Sequence, residues 1–193
     1  PISLYAGAIL LGNTGRRRAA TVRAHEPCVL LESPRKQLLK LMSAVPSVRR
    51  SLDETFVLRA ISTSLFPGVP AAQLKPLVAA ARFKSFKKGE ALCTQGEPGE
   101  EAFFVRKGSL KISRKDARGV DVTQTYVSAG NLVGEMALLP TGSGVRSATV
   151  AAAVGCEIIV LQKSDLQQLM TASPAVAQAL QALADSRRVE NIT

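Results

Sequence analysis

An α+β fold is predicted by three features of the 193-residue chain. Short apolar and β-branched stretches between residues 82 and 126 alternate with glycine-containing turns, the pattern of a series of short strands. Segments with apolar residues at helical spacing flank them, at 34–66, 71–81 and 164–189. The two ends of the chain also repeat each other. At a shift of 128 positions, Arg18-Ala19-Ala20-Thr21-Val22 falls on Arg146-Ser147-Ala148-Thr149-Val150.

The same shift maps Cys28 to Cys156, Leu38 to Leu166, Leu41-Met42 to Leu169-Met170, Pro46 to Pro174 and Leu52 to Leu180. From 18 to 52, 13 of 35 positions are identical without a gap. One residue fewer in the preceding loop brings Gly7 onto Gly134, and Ala8 then stands where the second copy has Glu135. The expected organisation is the C-terminal part of a first domain at 1–46, a connecting helix at 47–64 and a complete second domain at 65–193. The first residue is Pro1, which reads as a fragment or a processed chain.

Taken in order, Pro34 is assigned to the first turn of a helix that carries leucines at 38, 39 and 41. After a break at Ser43–Ser47, Val48, Leu52, Phe56, Ala60 and Ile61 recur at helical spacing. The Pro/Gly turn Leu65–Pro70 leads to an amphipathic helix, Ala71–Ala81. Strands are expected at Arg82–Phe86, Ala91–Gln95, Ala102–Arg106, Leu110–Arg114 and Asp121–Tyr126. Gly89, Gly96, Gly99 and Gly108 are assigned to tight corners where glycine permits positive φ, a structural role and not a ligand contact. Val150–Leu161 supplies the last strands. Ser164–Met170 is a helix with a Ser-Asp cap, and Pro174–Val189 is the final helix.

The chemistry is concentrated in Gly130–Val150, GNLVGEMALLPTGSGVRSATV. Gly134 and Glu135 open the helix-prone run Met136–Leu139, and a helix start preceded by glycine offers backbone N–H groups to an anion. Arg146 follows with a guanidinium fork for the same anion. Glu135 is out of place beside an anion unless it accepts a hydrogen bond from a hydroxyl of the same ligand. A ligand with both a phosphate and a ribose hydroxyl satisfies all of them.

This stretch resembles the phosphate-binding cassette of cyclic nucleotide-binding domains: an aromatic, Gly-Glu, Leu or Met, Ala-Leu, a loop, then Arg and small residues. Only the leading aromatic differs, being Val133. KKGEALCTQGEPGEEAFFVRKGSLKI resembles the barrel signature of the same family at Gly89, Gly96, Gly99 and Gly108. The resemblance implies an antiparallel β-roll, a jelly-roll-like barrel flanked by helices, with a partial second copy at the N-terminus. It implies a non-enzymatic regulatory module whose ligand is cAMP or cGMP. Glu135 would accept the ribose 2′-hydroxyl, Arg146 would pair with the cyclic phosphate, and Gly134, Met136, Ala137, Ser147 and Ala148 would complete the ligand-binding set. Leu180, Leu183, Arg187 and Arg188 are the expected purine lid. The flanking helices would move with ligand. The implied partners are the nucleotide, an effector domain or protein outside this chain, and a homo-oligomeric mate.

Two other classes are weighed against this. A degenerate barrel used only for protein contacts is disfavoured by an intact Glu135 and Arg146. An enzyme is disfavoured because no nucleophile–base pair, metal cluster or Walker-type loop is visible. Cys28, Cys93 and Cys156 lack metal-ligand spacing and are expected as buried small hydrophobes, while His25 is expected on the surface. A net charge of +10 raises nucleic acid as a partner, but the cations are scattered and not interleaved with aromatics. No helix-turn-helix can be placed, so specific DNA binding is not expected. With no membrane span, no metal and no signal peptide in the sequence, a cytoplasmic location is expected.

Overall fold

The computed structural model describes residues 23–29, 33–139 and 143–190. The expectations for Gly7, Ala8 and Arg18 lie outside these residues. The chain divides into two compact units, Pro1–Phe56 and Val57–Thr193.

In the first unit, helix α1 spans Arg35–Ala44. Pro34 precedes it in an extended conformation rather than inside the first turn. Helix α2, Pro46–Ser64, starts in this unit after a single extended residue, Val45, and its residues from Val57 onward belong to the second unit. The expected five-residue break is therefore one residue long. Pro46 can begin a helix because the N–H it lacks would have had no intrahelical partner. Val45 closes α1 by donating its N–H to the Leu41 carbonyl at 2.8 Å. His25 is exposed as expected. Cys28 is exposed as well, which corrects the expectation of a buried thiol: residues 27–29 belong to no strand, and among the described residues nothing pairs with them to cover it.

In the second unit, α3 (Ala71–Ala80) precedes eight strands. These are β1 (Arg82–Phe86), β2 (Ala91–Cys93), β3 (Glu101–Lys107), β4 (Ser109–Lys115), β5 (Asp121–Ser128), β6 (Leu132–Val133), β7 (Thr149–Ala152) and β8 (Cys156–Gln162). Helices α4 (Lys163–Ala172) and α5 (Pro174–Glu190) follow. The strands form two antiparallel sheets, ordered β1-β8-β3-β6 and β2-β7-β4-β5. The α+β expectation thus holds for this unit.

The apolar runs Ala102–Val105 and Ile158–Leu161 are continuous because their sheet is covered on both faces. Ala102, Phe104, Ile159 and Leu161 join one core with Leu74, Leu166, Val176 and Leu180 of the helices. Phe103, Val105, Ile158 and Val160 join a second core with Leu110 and Val150 of the other sheet. Alternate residues of a strand point to opposite faces, so β3 and β8 stitch the helical layer to the second sheet.

Two local expectations are corrected. Ser164 does not cap α4, which begins one residue earlier at Lys163 and has no side-chain cap. Its first N–H instead donates to the Glu100 carbonyl at 2.9 Å, so tertiary structure supplies the cap. Gly89, Gly96 and Gly108 have the expected positive φ, near +85 to +89°, but Gly99 does not. What keeps Gly99 small is a close approach described below.

Candidate functional site

Strand β3 anchors the site from both sides. Phe103 pairs with Val133 of β6, which sets the position of Gly134 immediately after it. Gly134 takes the left-handed conformation, φ +89°, and turns the chain into a single 3₁₀ turn, Glu135–Ala137, shorter than the helical run expected. A Cβ at Gly134 would lie 2.6 Å from Arg146 Nη1, so any larger residue would push the arginine tip from its place.

Arg146 is 6% exposed. Its main chain is fastened to the β2–β3 loop: its N–H donates to the Glu97 carbonyl at 2.8 Å, and its carbonyl accepts from Gly96 N–H at 2.9 Å. In the side chain, Nη1 donates to the carbonyls of Glu101 at 2.6 Å and Gly134 at 3.4 Å. The guanidinium carbon sits 5.0 Å from the Phe103 ring centroid, a cation–π distance. Nε is buried and has no hydrogen-bond partner among the described residues. A buried cation with an unused donor is costly unless an anion meets it. Glu135 is also buried, at 2% exposure.

A cavity of about 570 Å³ opens beside these groups. Gly134, Glu135, Met136, Ala137, Arg146, Ser147 and Ala148 all line it, so every residue expected in the cassette reaches one space. Leu183 of α5 lines it too. Leu180 does not: three positions from Leu183, it is 3% exposed and belongs to the core that the helices share. The side chains of Arg187 and Arg188 lie outside those described.

Sequence reasoning missed the opposite wall. Ile112 and Arg114 of β4, Gln124 and Tyr126 of β5 and Cys93 of β2 line the cavity, as does Ser186 of α5. The period-two spacing of Ile112 and Arg114 was a signal for a shared face, but not for which face. Arg114 Nε donates to the Ser147 carbonyl at 2.9 Å and so ties this wall to the cassette. Burial pushes the Cys93 thiol up from its usual value, and the nearby Arg146 guanidinium opposes this only in part. Among the described residues, no group of three His, Cys, Asp or Glu side chains comes together to hold a metal, and no helix is long and apolar enough to cross a membrane.

The fold and site define a class. The family model described as cyclic nucleotide-binding domain matches residues 83–173, and this stretch is a domain of that kind. The chain is 33% identical to the cAMP-dependent protein kinase regulatory subunit of Mycosarcoma maydis, over 70% of this chain and 25% of that protein. It is 36% identical to the cAMP-activated global transcriptional regulator CRP of Haemophilus influenzae, over 50% of this chain and 42% of that protein. The Thermus thermophilus catabolite activator protein superposes with a TM-score of 0.59 at 28% identity, over 66% of this chain and 59% of that one. The chain thus spans a quarter to less than half of these two curated relatives.

The likeness to CRP overturns one expectation, that specific DNA binding is excluded. Relatives of this domain include transcriptional regulators. Scattered surface cations describe this stretch of chain and carry no information about the company the domain keeps.

Proposed function

We propose that Val57–Thr193 is a regulatory module that binds a cyclic nucleotide and couples its presence to the flanking helices. The observation that carries this reading is the meeting of all seven cassette residues on one cavity, around the Nε of Arg146, which has no hydrogen-bond partner among the described residues. A volume near 570 Å³ falls within the range of small-molecule pockets. Arg146 pairs with the cyclic phosphate, and the Ser147 hydroxyl with the amides of Gly134, Met136 and Ala137 donates to its oxygens. Ala148 packs beside them. Glu135 accepts the ribose 2′-hydroxyl, and Leu183 approaches the purine. The ligand is cAMP or cGMP, and the names of the relatives favour cAMP. No catalytic step is assigned: the effector is a domain or protein beyond this stretch, in the cytoplasm.

The tandem organisation belongs to the same proposal. Helices α1 and α4 have bounds 128 residues apart at both ends, and α2 and α5 start 128 apart, at Pro46 and Pro174. The single residues between them, Val45 and Ser173, are both extended. They donate to the carbonyls of Leu41 and Leu169, at 2.8 and 2.9 Å. This congruence supports residues 1–46 as the end of a first copy. Calorimetric titration of the chain with cAMP and with cGMP tests the reading. Saturable binding of one nucleotide per chain supports it, and absence of heat and of competition with either nucleotide refutes it.

A further inference from the structure

We propose that Gly99 is a positioning residue for the anion site, and that the space left by its missing side chain is where the Glu135–Ala137 turn and Arg146 are seated. The inference rests on the nucleotide-binding reading only for its affinity readout. Gly99 lies in the β2–β3 loop, is buried, and does not adopt positive φ, so backbone conformation does not require a glycine there. Packing does. A Cβ at residue 99 would overlap the Ala137 Cβ outright and would stand 3.6 Å from both Cδ and Nε of Arg146. The distance to Arg146 is ordinary contact; the approach to Ala137 is far inside any real one. Because the Ala137 Cβ is bonded directly to the main chain, no rotamer change relieves the overlap. The backbone of the turn must move.

The loop around Gly99 is built to hold Arg146 in register. Gly99 N–H donates to the Gly144 carbonyl at 2.9 Å, and Pro98 forms an isolated antiparallel bridge with Val145. Gly96 and Glu97 bind the main chain of Arg146, and the Glu101 carbonyl binds its Nη1. One loop thus fastens the arginine at its backbone and at its tip, and its glycine admits the turn carrying the expected phosphate donors. Displacing that turn moves those amides relative to Arg146 and spoils the distances and angles that both would need to reach one anion together.

The test compares Gly99→Ala, Ala137→Gly and the double variant in the full 193-residue chain. Two readouts are used: hydrogen exchange of the ligand-free cassette, and affinity for cAMP and cGMP by calorimetry. Gly99→Ala should speed exchange across the Glu135–Ala137 turn and weaken nucleotide binding at least about tenfold. The double variant, with the overlapping Cβ removed from the other side, should recover the exchange and affinity of Ala137→Gly alone. If Gly99→Ala does not fold, recovery of folding in the double variant supports the same seat. Unchanged exchange in Gly99→Ala, or a double variant no better than Gly99→Ala, overturns the proposal. If the wild-type chain binds neither nucleotide, the functional reading fails, and the exchange data alone still decide the role of Gly99.

Discussion

Arg146 Nη1 donates to the main-chain carbonyl of Glu101 at 2.6 Å, while Nε of the same guanidinium has no partner among the described residues. The side chain is therefore held in place by protein yet not fully satisfied by it. A charge anchored at one donor and unmet at another is preorganised for an anion, because little ordering remains to be done when the anion arrives.

Arg146→Ala should weaken cyclic nucleotide binding by roughly 30- to 1000-fold, about 2–4 kcal/mol, since a charge-assisted pair is lost in a buried place. Arg146→Lys should also bind poorly, because an ammonium cannot reproduce the fork that spans Glu101 and the ligand. Calorimetric titration reads both, and an alanine variant with wild-type affinity would refute the site.

Glu135→Ala should lose about tenfold in affinity for the parent nucleotide, the scale of one hydrogen bond to a charged group. The diagnostic ligand is the 2′-deoxy analogue. Wild type should discriminate against it, and the Glu135→Ala protein should bind both nucleotides alike. Discrimination that survives the substitution would place the hydroxyl elsewhere.

Gly108 and Gly119 separate two costs of replacing glycine. Both have positive φ, +88° and +79°, but only at Gly108 would a Cβ meet Cys156 Cβ at 2.7 Å and the Gly155 carbonyl at 2.8 Å. Gly119→Ala should cost about 1 kcal/mol in denaturant unfolding, and Gly108→Ala at least about 2 kcal/mol more. Equal losses would show that the β3–β4 corner yields to the added carbon.

The thiols should react in the order of their burial. Exposed Cys28 should be alkylated first, while Cys93 and Cys156, both pushed up by burial, should react slowly. Nucleotide should protect Cys93 further, since it lines the cavity. The sign for stability follows from the raised values. Well below the usual thiol value the group is protonated both folded and unfolded, so its contribution is fully present. As pH rises, the unfolded thiol ionises first, and stability falls on approach to the higher folded value. Between about pH 8 and 10 the wild-type urea midpoint should therefore drop more than that of Cys93→Ala; equal drops would contradict the shift.

Coupling to the helices is testable by hydrogen exchange with and without nucleotide. Protection should rise at Val133–Ser147 and across α5, whose Leu183 and Ser186 line the cavity. Protection confined to the cassette would leave binding without the proposed response.

The cassette is legible in the residue order because its chemistry is local: Gly134, Glu135, Met136 and Ala137 adjoin one another, and Arg146 with Ser147 and Ala148 follows after one loop. The strands are legible for the same reason, since glycine corners such as Gly89 and Gly108 depend on their own φ. The short β6 carries no such signal, because two residues have no periodicity; pairing with β3 makes it a strand. Leu180 and Leu183 share a helical face in one dimension, yet packing sends the first into the core and lets the second reach the cavity. Cys28 and Cys156 match in the repeat, but only Cys156 has a ladder around it and is buried. Gly99 looks like another corner glycine and is instead a seat for Ala137. Residue order determines chemistry carried by neighbours and by each residue's own backbone freedom. Which side chains from distant strands and helices close the cavity is decided only when the two sheets and the helical layer compete for the same apolar surface.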